Sequence, residues 1–138
     1  MQVSKLLISL LFFIVLIAGC SKDSPLQPPP PDAKLSTLSG IQSNVFTPSC
    51  AVSGCHAGAS PAASLNLTTG SSYSQLVNQT SLKDATKERV EPNNSANSVL
   101  VLILRGNISP RMPYGAAALS SATIDSIAKW IDDGALNN

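Results

Sequence analysis

Apolar residues recur at helical spacing toward both ends of the region that follows residue 37. The first stripe, at i, i+3 and i+7, consists of Leu38, Ile41 and Val45. It predicts a helix that brings Phe46 to the segment beyond it. The second stripe, which Ser120 can cap and Gly134 can end, consists of Ile124, Ile127, Ala128 and Ile131. Each of these two helices therefore carries an apolar face that needs a packing partner.

Two further helices are predicted between these ends. A short one covers residues 72–77, with inward-facing side chains at Tyr73, Leu76 and Val77. Asn94 can cap a longer one over residues 95–105, which Gly106 would close. The six apolar residues 99–104 fit a buried helix or a buried strand equally well by periodicity. The cap, the length and the closing glycine favour the helix.

The N-terminus has the pattern of an export signal. An almost unbroken apolar run, residues 6–18, follows Lys5, and it is too short for a comfortable membrane span. The run ends in Leu-Ile-Ala-Gly-Cys, which resembles the bacterial lipobox, where the cysteine is lipidated and becomes the first residue. We therefore expect residues 1–19 to be a lipoprotein signal peptide and Cys20 to be the lipid anchor. The alternative is an uncleaved anchor helix with an incidental cysteine.

A proline-rich linker is predicted over residues 20–34. Pro25 and Pro28–Pro31 supply five of the ten prolines, and such a stretch cannot form a helix or a sheet ladder. At ~3.1 Å per residue, about a dozen residues would hold a domain roughly 35 Å from its anchor. Ser21 is consistent with outer-membrane sorting. The folded domain is then expected over residues 35–138, in the bacterial cell envelope, facing the periplasm or the cell surface.

Composition and charge narrow the possible functions. The 138 residues carry a formal net charge of +1, and 12% of them are charged. No basic block exists to follow a phosphate backbone, so nucleic acid is not an expected partner. The length allows one domain of typical size. Aromatic residues make up 4% of the chain, which is few for a core unless something large and flat fills it.

The candidate chemistry lies in a C-x4-C-H motif formed by Cys50, Cys55 and His56, the only histidine. Covalent haem attachment explains this adjacency, because two thiols add to the haem vinyl groups and the histidine becomes the proximal iron ligand. The usual spacing is C-x2-C-H, and Gly54 would ease the longer loop. A disulfide between the two cysteines stays open as an alternative, although its loop is very small. Structural zinc needs four ligands, and only three soft ones stand here.

The candidate sixth iron ligand is Met112, the single methionine outside the signal peptide. Because no second histidine exists, a thioether is the natural group to complete the iron. Pro110, Pro113 and Gly115 make its segment an irregular, stiff loop rather than a helix face. A solitary methionine is also a common core filler, so both interpretations stand.

These features together resemble the small monohaem cytochrome c domains of bacterial exported proteins and lipoproteins. The resemblance is carried by Cys-Ala-Val-Ser-Gly-Cys-His at residues 50–56, by Met112-Pro113, and by Trp-Ile-Asp-Asp-Gly-Ala at residues 130–135. It covers about residues 38–135. It implies an all-α, class I-like fold of about four helices around one covalent haem c, with crossed first and last helices. It also implies His/Met ligation and electron transfer between redox proteins of the envelope.

A haem brings two propionates, for which basic residues are the expected partners. Arg111, beside Met112, is the strongest candidate and Arg89 the next, with ordinary surface charge as the alternative for each. Trp130 lies at the edge of the last helix stripe and is chiefly a core residue. An indole–propionate hydrogen bond is its alternative role.

Three functions from different classes compete at this point. The first is a lipid-anchored electron carrier, which is not an enzyme. The second is a haem peroxidase or ligand-binding haem enzyme, whose distal side would need a general acid or base; the carboxylates considered are Asp84, Glu88 and Glu91. The third is a haem-free envelope lipoprotein with a Cys50–Cys55 disulfide. A Ser/His/acid triad would have to use His56, and no phosphate-binding loop is present.

Overall fold

The computed structural model describes residues 32–138 of the chain, and four α-helices organise that region. They are α1 (Leu38–Ile41), α2 (Ser72–Leu76), α3 (Val99–Arg105) and α4 (Ser121–Asp132). A π-helical segment, Gln42–Cys50, continues α1, and 3-10 turns form at Ala33–Leu35 and Ala62–Ser64. Within the described region β structure is limited to two isolated bridges, Val77 with Val90 and Thr80 with Glu88. The all-α prediction is confirmed. The predicted signal peptide, Cys20 and the prolines at 25 and 28–31 lie outside the described residues.

Helix α1 begins where its sequence pattern predicts, and the π-helical segment that continues it ends at the first cysteine. The Thr37 hydroxyl accepts a hydrogen bond from the Gly40 N–H at 3.1 Å and caps the helix. A Cβ at Gly40 would lie 1.8 Å from the Lys34 carbonyl oxygen, so only glycine fits. After Ile41 the turns widen, and the Ala51 N–H bonds five residues back to the Phe46 carbonyl at 2.7 Å. This wide helix places the first cysteine beside the core.

The predicted start of the third helix is wrong: α3 begins at Val99 and not at residue 95. Asn94 does not cap a helix from residue 95; the α-helix begins at Val99, after a set of turns. The reason is long-range pairing, because the N–H groups of Val99 and Leu100 donate to the carbonyls of Glu88 and Arg89 at 3.0 and 2.9 Å. These two amides are therefore unavailable to a turn that starts at residue 95. The helix ends at Gly106, as predicted.

Helix α4 agrees with its prediction at both ends. The Ser120 hydroxyl accepts a hydrogen bond from the Thr123 N–H at 3.1 Å. At the other end, the Gly134 N–H bonds to the Ile131 carbonyl at 3.0 Å. The apolar stripe of α4 is buried. It joins the α1 side chains in one core cluster, whose fully buried members include Ile41, Phe46, Ile127, Trp130 and Ile131.

The two ends of the described region meet at this core. The Leu38 and Ser39 N–H groups, in α1, donate to the side chain and the backbone of Asn138, each at 2.9 Å. The Asp32 N–H donates to the Ser126 hydroxyl of α4 at 2.8 Å. The turn that follows Asp32 thus packs on the core, where Leu35 is buried. No helix within residues 32–138 has the length and apolar character needed to cross a membrane.

Candidate functional site

A single cavity brings the predicted haem-binding residues together. It has a volume of about 520 Å³, and its wall includes Cys50, Cys55, His56 and Met112. Most of the remaining wall is apolar, with side chains from the π-helical segment, the loop before α2, and helices α2 and α3 that include Phe46, Leu67, Leu76, Leu100, Ile103 and Leu104. The volume lies in the ~300–1,000 Å³ range that is usual for small-molecule and cofactor sites. Residues from distant parts of the chain thus share one concave apolar site.

The cysteine loop is closed by its own backbone. The Cys55 N–H donates to the Val52 carbonyl at 3.0 Å, and the His56 N–H donates to the Cys50 carbonyl at 3.1 Å. Gly54 has a φ of +82° within this turn, the conformation for which the sequence predicts a glycine. Both cysteines are free thiols, Cys50 half-buried and Cys55 exposed. Burial, and then the neighbouring Cys55, raise the pKa of the Cys50 thiol to about 11.

Two backbone carbonyls orient the histidine ring. His56 Nδ1 lies 3.2 Å from the carbonyl oxygens of both Ala62 and Leu65. Since carbonyl oxygens only accept hydrogen bonds, Nδ1 carries a proton, and in the neutral ring the lone pair is then on Nε2. This is the arrangement that fixes the tautomer of an imidazole ligand to a metal. The 57–66 loop returns to this position because the Leu67 N–H donates to the His56 carbonyl at 2.8 Å.

The methionine loop is anchored to α3 and braced by its own arginine. The Met112 N–H donates to the Ile103 carbonyl at 3.1 Å. The Arg111 guanidinium donates to the carbonyls of Met112 at 3.2 Å and Ala116 at 2.9 Å. Met112 is half-buried, packs against the core and also lines the cavity. Its position is thus compatible with both interpretations, iron ligand and core filler.

One run of hydrogen bonds connects the methionine loop to the histidine loop. It starts at the bond from Met112 to Ile103, in α3. In the first turn of the same helix, the Leu100 N–H donates to the Arg89 carbonyl at 2.9 Å. The Arg89 guanidinium then donates to the Ala63 carbonyl at 3.2 Å, in the turn whose adjacent carbonyls hold the histidine ring. The two candidate axial ligands are therefore held by one continuous frame.

Of the three predicted propionate partners, Arg89 lines the cavity, whereas Arg111 and Trp130 do not. Arg89 lines the cavity, and burial lowers the pKa of its guanidinium. Arg111 braces the methionine loop and is not part of the cavity wall. Trp130 is 1% exposed, and its indole N–H donates to the Leu136 carbonyl at 2.9 Å. Because an indole has a single donor, this bond replaces the alternative contact with a propionate.

The wall residues that the sequence did not indicate include three with long side chains, Leu82, Lys83 and Tyr114. Leu82 is 71% exposed and Tyr114 is 77% exposed, although both are large and apolar. They mark the mouth of the cavity. A leucine and a tyrosine in otherwise polar loops are the only sequence signal that could have indicated them, since apolar side chains in loops often contact a ligand or a partner.

The carboxylates considered for an enzyme are not part of the cavity wall in the described chain. Hydrogen bonds from Thr86 lower the pKa of Asp84. Hydrogen bonds from the amides of Asn97 and Asn94 lower the pKa of Glu91. Glu88 has one carboxylate oxygen, Oε2, that is buried without a hydrogen-bond partner.

No protein-family model matches the chain, and neither does any curated protein or solved structure. Within residues 32–138, no group of three or more His, Cys, Asp or Glu side chains is placed to hold a metal ion. The helical fold and the donor set around the cavity are thus the observations from which a function can be argued.

Proposed function

We propose that the protein is a lipid-anchored monohaem c-type cytochrome that carries single electrons between redox proteins of the cell envelope. The observation that carries this proposal is the convergence of Cys50, Cys55, His56 and Met112 on one apolar cavity. The proposal includes a class I-like arrangement in which the first and last helices cross beside the haem. The shared core of α1 and α4 supports that arrangement.

The donor set fits a haem c. Two free thiols in one short loop can each form a thioether bond, and His56, whose Nδ1 is held by backbone carbonyls, has Nε2 as the nitrogen that can ligate iron. The thioether of Met112 lines the same cavity and can complete the iron. When bound, haem supplies a one-electron redox change, while the protein sets its ligands, burial and hydrogen bonding. If His56 and Met112 both ligated the iron of a bound haem, no iron position would be open for a substrate, which favours electron transfer over catalysis.

The cavity mouth offers a contact area for a redox partner. Leu82 and Tyr114 are exposed apolar side chains there, and such residues are typical of interaction surfaces. In the proposed carrier, a partner would approach the haem at this mouth. On its other sides the cavity is bounded by core side chains such as Phe46, Leu76 and Leu104.

Mass and optical spectra of the full-length protein test the proposal. The protein would be made in a host with haem-attachment machinery and analysed after denaturation. We expect the peptide of residues 50–56 to carry the mass of one haem, and the native protein to show a low-spin six-coordinate spectrum. A high-spin five-coordinate spectrum would instead support a peroxidase-like or ligand-binding enzyme. A haem-free peptide two hydrogens lighter than the dithiol would show a disulfide lipoprotein and refute the proposal.

Lipid anchoring is tested by Cys20→Ser. Because the proposed acylation and cleavage both need this thiol, the variant is expected to leave the membrane fraction or to stay unprocessed. Fractionation and the mass of the mature N-terminus report the two outcomes. Ser21→Ala is the matched control and should remain membrane-bound. Unchanged processing and membrane retention of Cys20→Ser would contradict the lipid anchor.

A further inference from the structure

Two cations line the cavity without a carboxylate to balance them. Lys83 and Arg89 are the lysine and arginine of its wall, and no Asp or Glu of the described chain lines it. The ion pairs within residues 32–138 lie elsewhere, at Arg105–Asp125 and Lys129–Asp133. Arg89 is half-buried, where an unpaired charge is costly, whereas Lys83 is exposed and adds a positive charge at the same wall. This wall therefore favours a ligand that carries negative charge.

Both cations are held in place and keep donors for a ligand. Arg89 donates to the carbonyls of Gln75 at 2.8 Å and Ala63 at 3.2 Å, which are neutral acceptors. A guanidinium has five N–H donors, so others remain. The Lys83 ammonium donates to the Ser109 carbonyl at 3.3 Å and has two further N–H groups. These contacts with neutral carbonyls orient the two side chains but do not neutralise their charges.

We propose that Lys83 and Arg89 bind the two propionate carboxylates of haem c, an inference that rests on the proposed function. It assigns this role to a residue that the sequence analysis missed and removes it from Arg111 and Trp130. Arg111 is engaged on the methionine loop and Trp130 in the core. Two cations also match two carboxylates in number.

The charge count gives the inference a measurable consequence. Ferrous haem with both propionates ionised has a net charge of about −2, which two cations bring close to neutrality. The ferric form then leaves one positive charge in an apolar site, so these cations favour reduction. Removing either one should therefore lower the reduction potential.

The test compares variants that each remove one positive charge from the full-length haem protein. Arg89→Gln and Lys83→Gln are paired with Arg105→Gln and Lys129→Gln, which remove the same charges from the two ion pairs outside the cavity wall. Each variant is first weighed after denaturation to establish that haem is attached. Its reduction potential and the propionate bending bands in the resonance Raman spectrum are then measured. We expect the cavity variants to shift the potential downward at least twice as far as their controls, and to move the propionate bands.

Arg89→Lys separates charge from structure. It retains the cation but cannot reproduce the two-carbonyl contact of the guanidinium. A charge role predicts that lysine restores most of the potential, whereas a purely structural role predicts that lysine and glutamine behave alike. Lys83→Gln keeps the inference testable if Arg89→Gln does not fold, because Lys83 is exposed and makes a single backbone contact.

The outcomes distinguish this inference from the function on which it rests. A wild-type protein without haem mass would overturn the proposed function. If haem is attached, and both cavity variants match their controls in potential and Raman bands, the propionate assignment alone is wrong. Propionate Raman bands that move in Arg111→Gln and not in the cavity variants would return the role to Arg111, whereas a change in potential alone would reflect the methionine loop that Arg111 braces.

Discussion

Replacing Cys50 and Cys55 together with serine is expected to abolish covalent haem and to remove most of the cooperative stability of the domain. Cys50 and Cys55 both line the cavity. Serine has no sulfur, so neither thioether bond to the haem can form in this variant. A cavity of about 520 Å³ with mainly apolar walls would then contain water in place of the cofactor. Small domains have only ~5–15 kcal/mol of stability, which the loss of such a ligand can consume. Denaturing mass spectrometry and thermal unfolding followed by circular dichroism measure the two effects.

The matched control for this double variant is Ser53→Ala, in the same loop. Ser53 is exposed, so its replacement should leave the haem attached and the unfolding temperature nearly unchanged. The single variants should each keep one thioether bond and one free vinyl group, which moves the reduced absorption band to longer wavelength. A double variant that still retains haem mass after denaturation would contradict attachment at this motif.

Met112→Leu is expected to lower the reduction potential by on the order of 0.1 V while the haem stays attached. Axial ligands set haem potentials over a range of about 0.8 V, and a thioether favours the ferrous state. Leucine is close to methionine in volume, so packing against the core is preserved. The variant should lose the far-red sulfur-to-iron charge-transfer band and bind carbon monoxide when reduced. Redox titration and optical spectra measure these changes.

The choice of leucine makes this experiment decisive between the two interpretations of Met112. If the side chain only fills the core, leucine should leave the potential and the spectrum as they are. Ile103→Leu, in the apolar wall of the same cavity, is the control for a small change in packing. Absence of the charge-transfer band from the wild-type protein, together with an unchanged potential in Met112→Leu, would show that another group ligates the iron.

Local signals predicted much of the helical framework. Ser120 caps α4, and Leu38 and Ile41 of the first stripe form α1, since both depend on neighbouring residues only, whereas Val45 of that stripe lies in the π-helical segment. The start of α3 could not be predicted in this way, because the N–H groups of Val99 and Leu100 are used by a segment about ten residues earlier in the chain. No periodicity within residues 94–105 contains that information. The structure also resolves the ambiguity between helix and strand in favour of the helix.

The candidate site shows the same division between local and long-range information. The spacing of Cys50, Cys55 and His56 is a local pattern, and it identified three wall residues. Lys83 had no such pattern, because a single lysine in a polar loop resembles any solvated charge. The role of Trp130 depends on the Leu136 carbonyl, a contact that requires the turn after α4 to be known. The sequence thus did not predict which side chains contact each other or the cavity when the contact joins distant segments.

The hydrogen-bonded frame between Met112 and the histidine loop has a consequence for the rate of electron exchange in the proposed carrier. That rate depends on the reorganisation energy, which is the cost of moving atoms to the positions preferred after the charge has changed. Ile103 and Ala63 anchor the two sides of the frame to the backbone, so the axial groups have little freedom to move. Dipoles and ligands that are held in advance need little rearrangement when charge develops. Such a site can exchange electrons in both directions with partners of nearly equal potential.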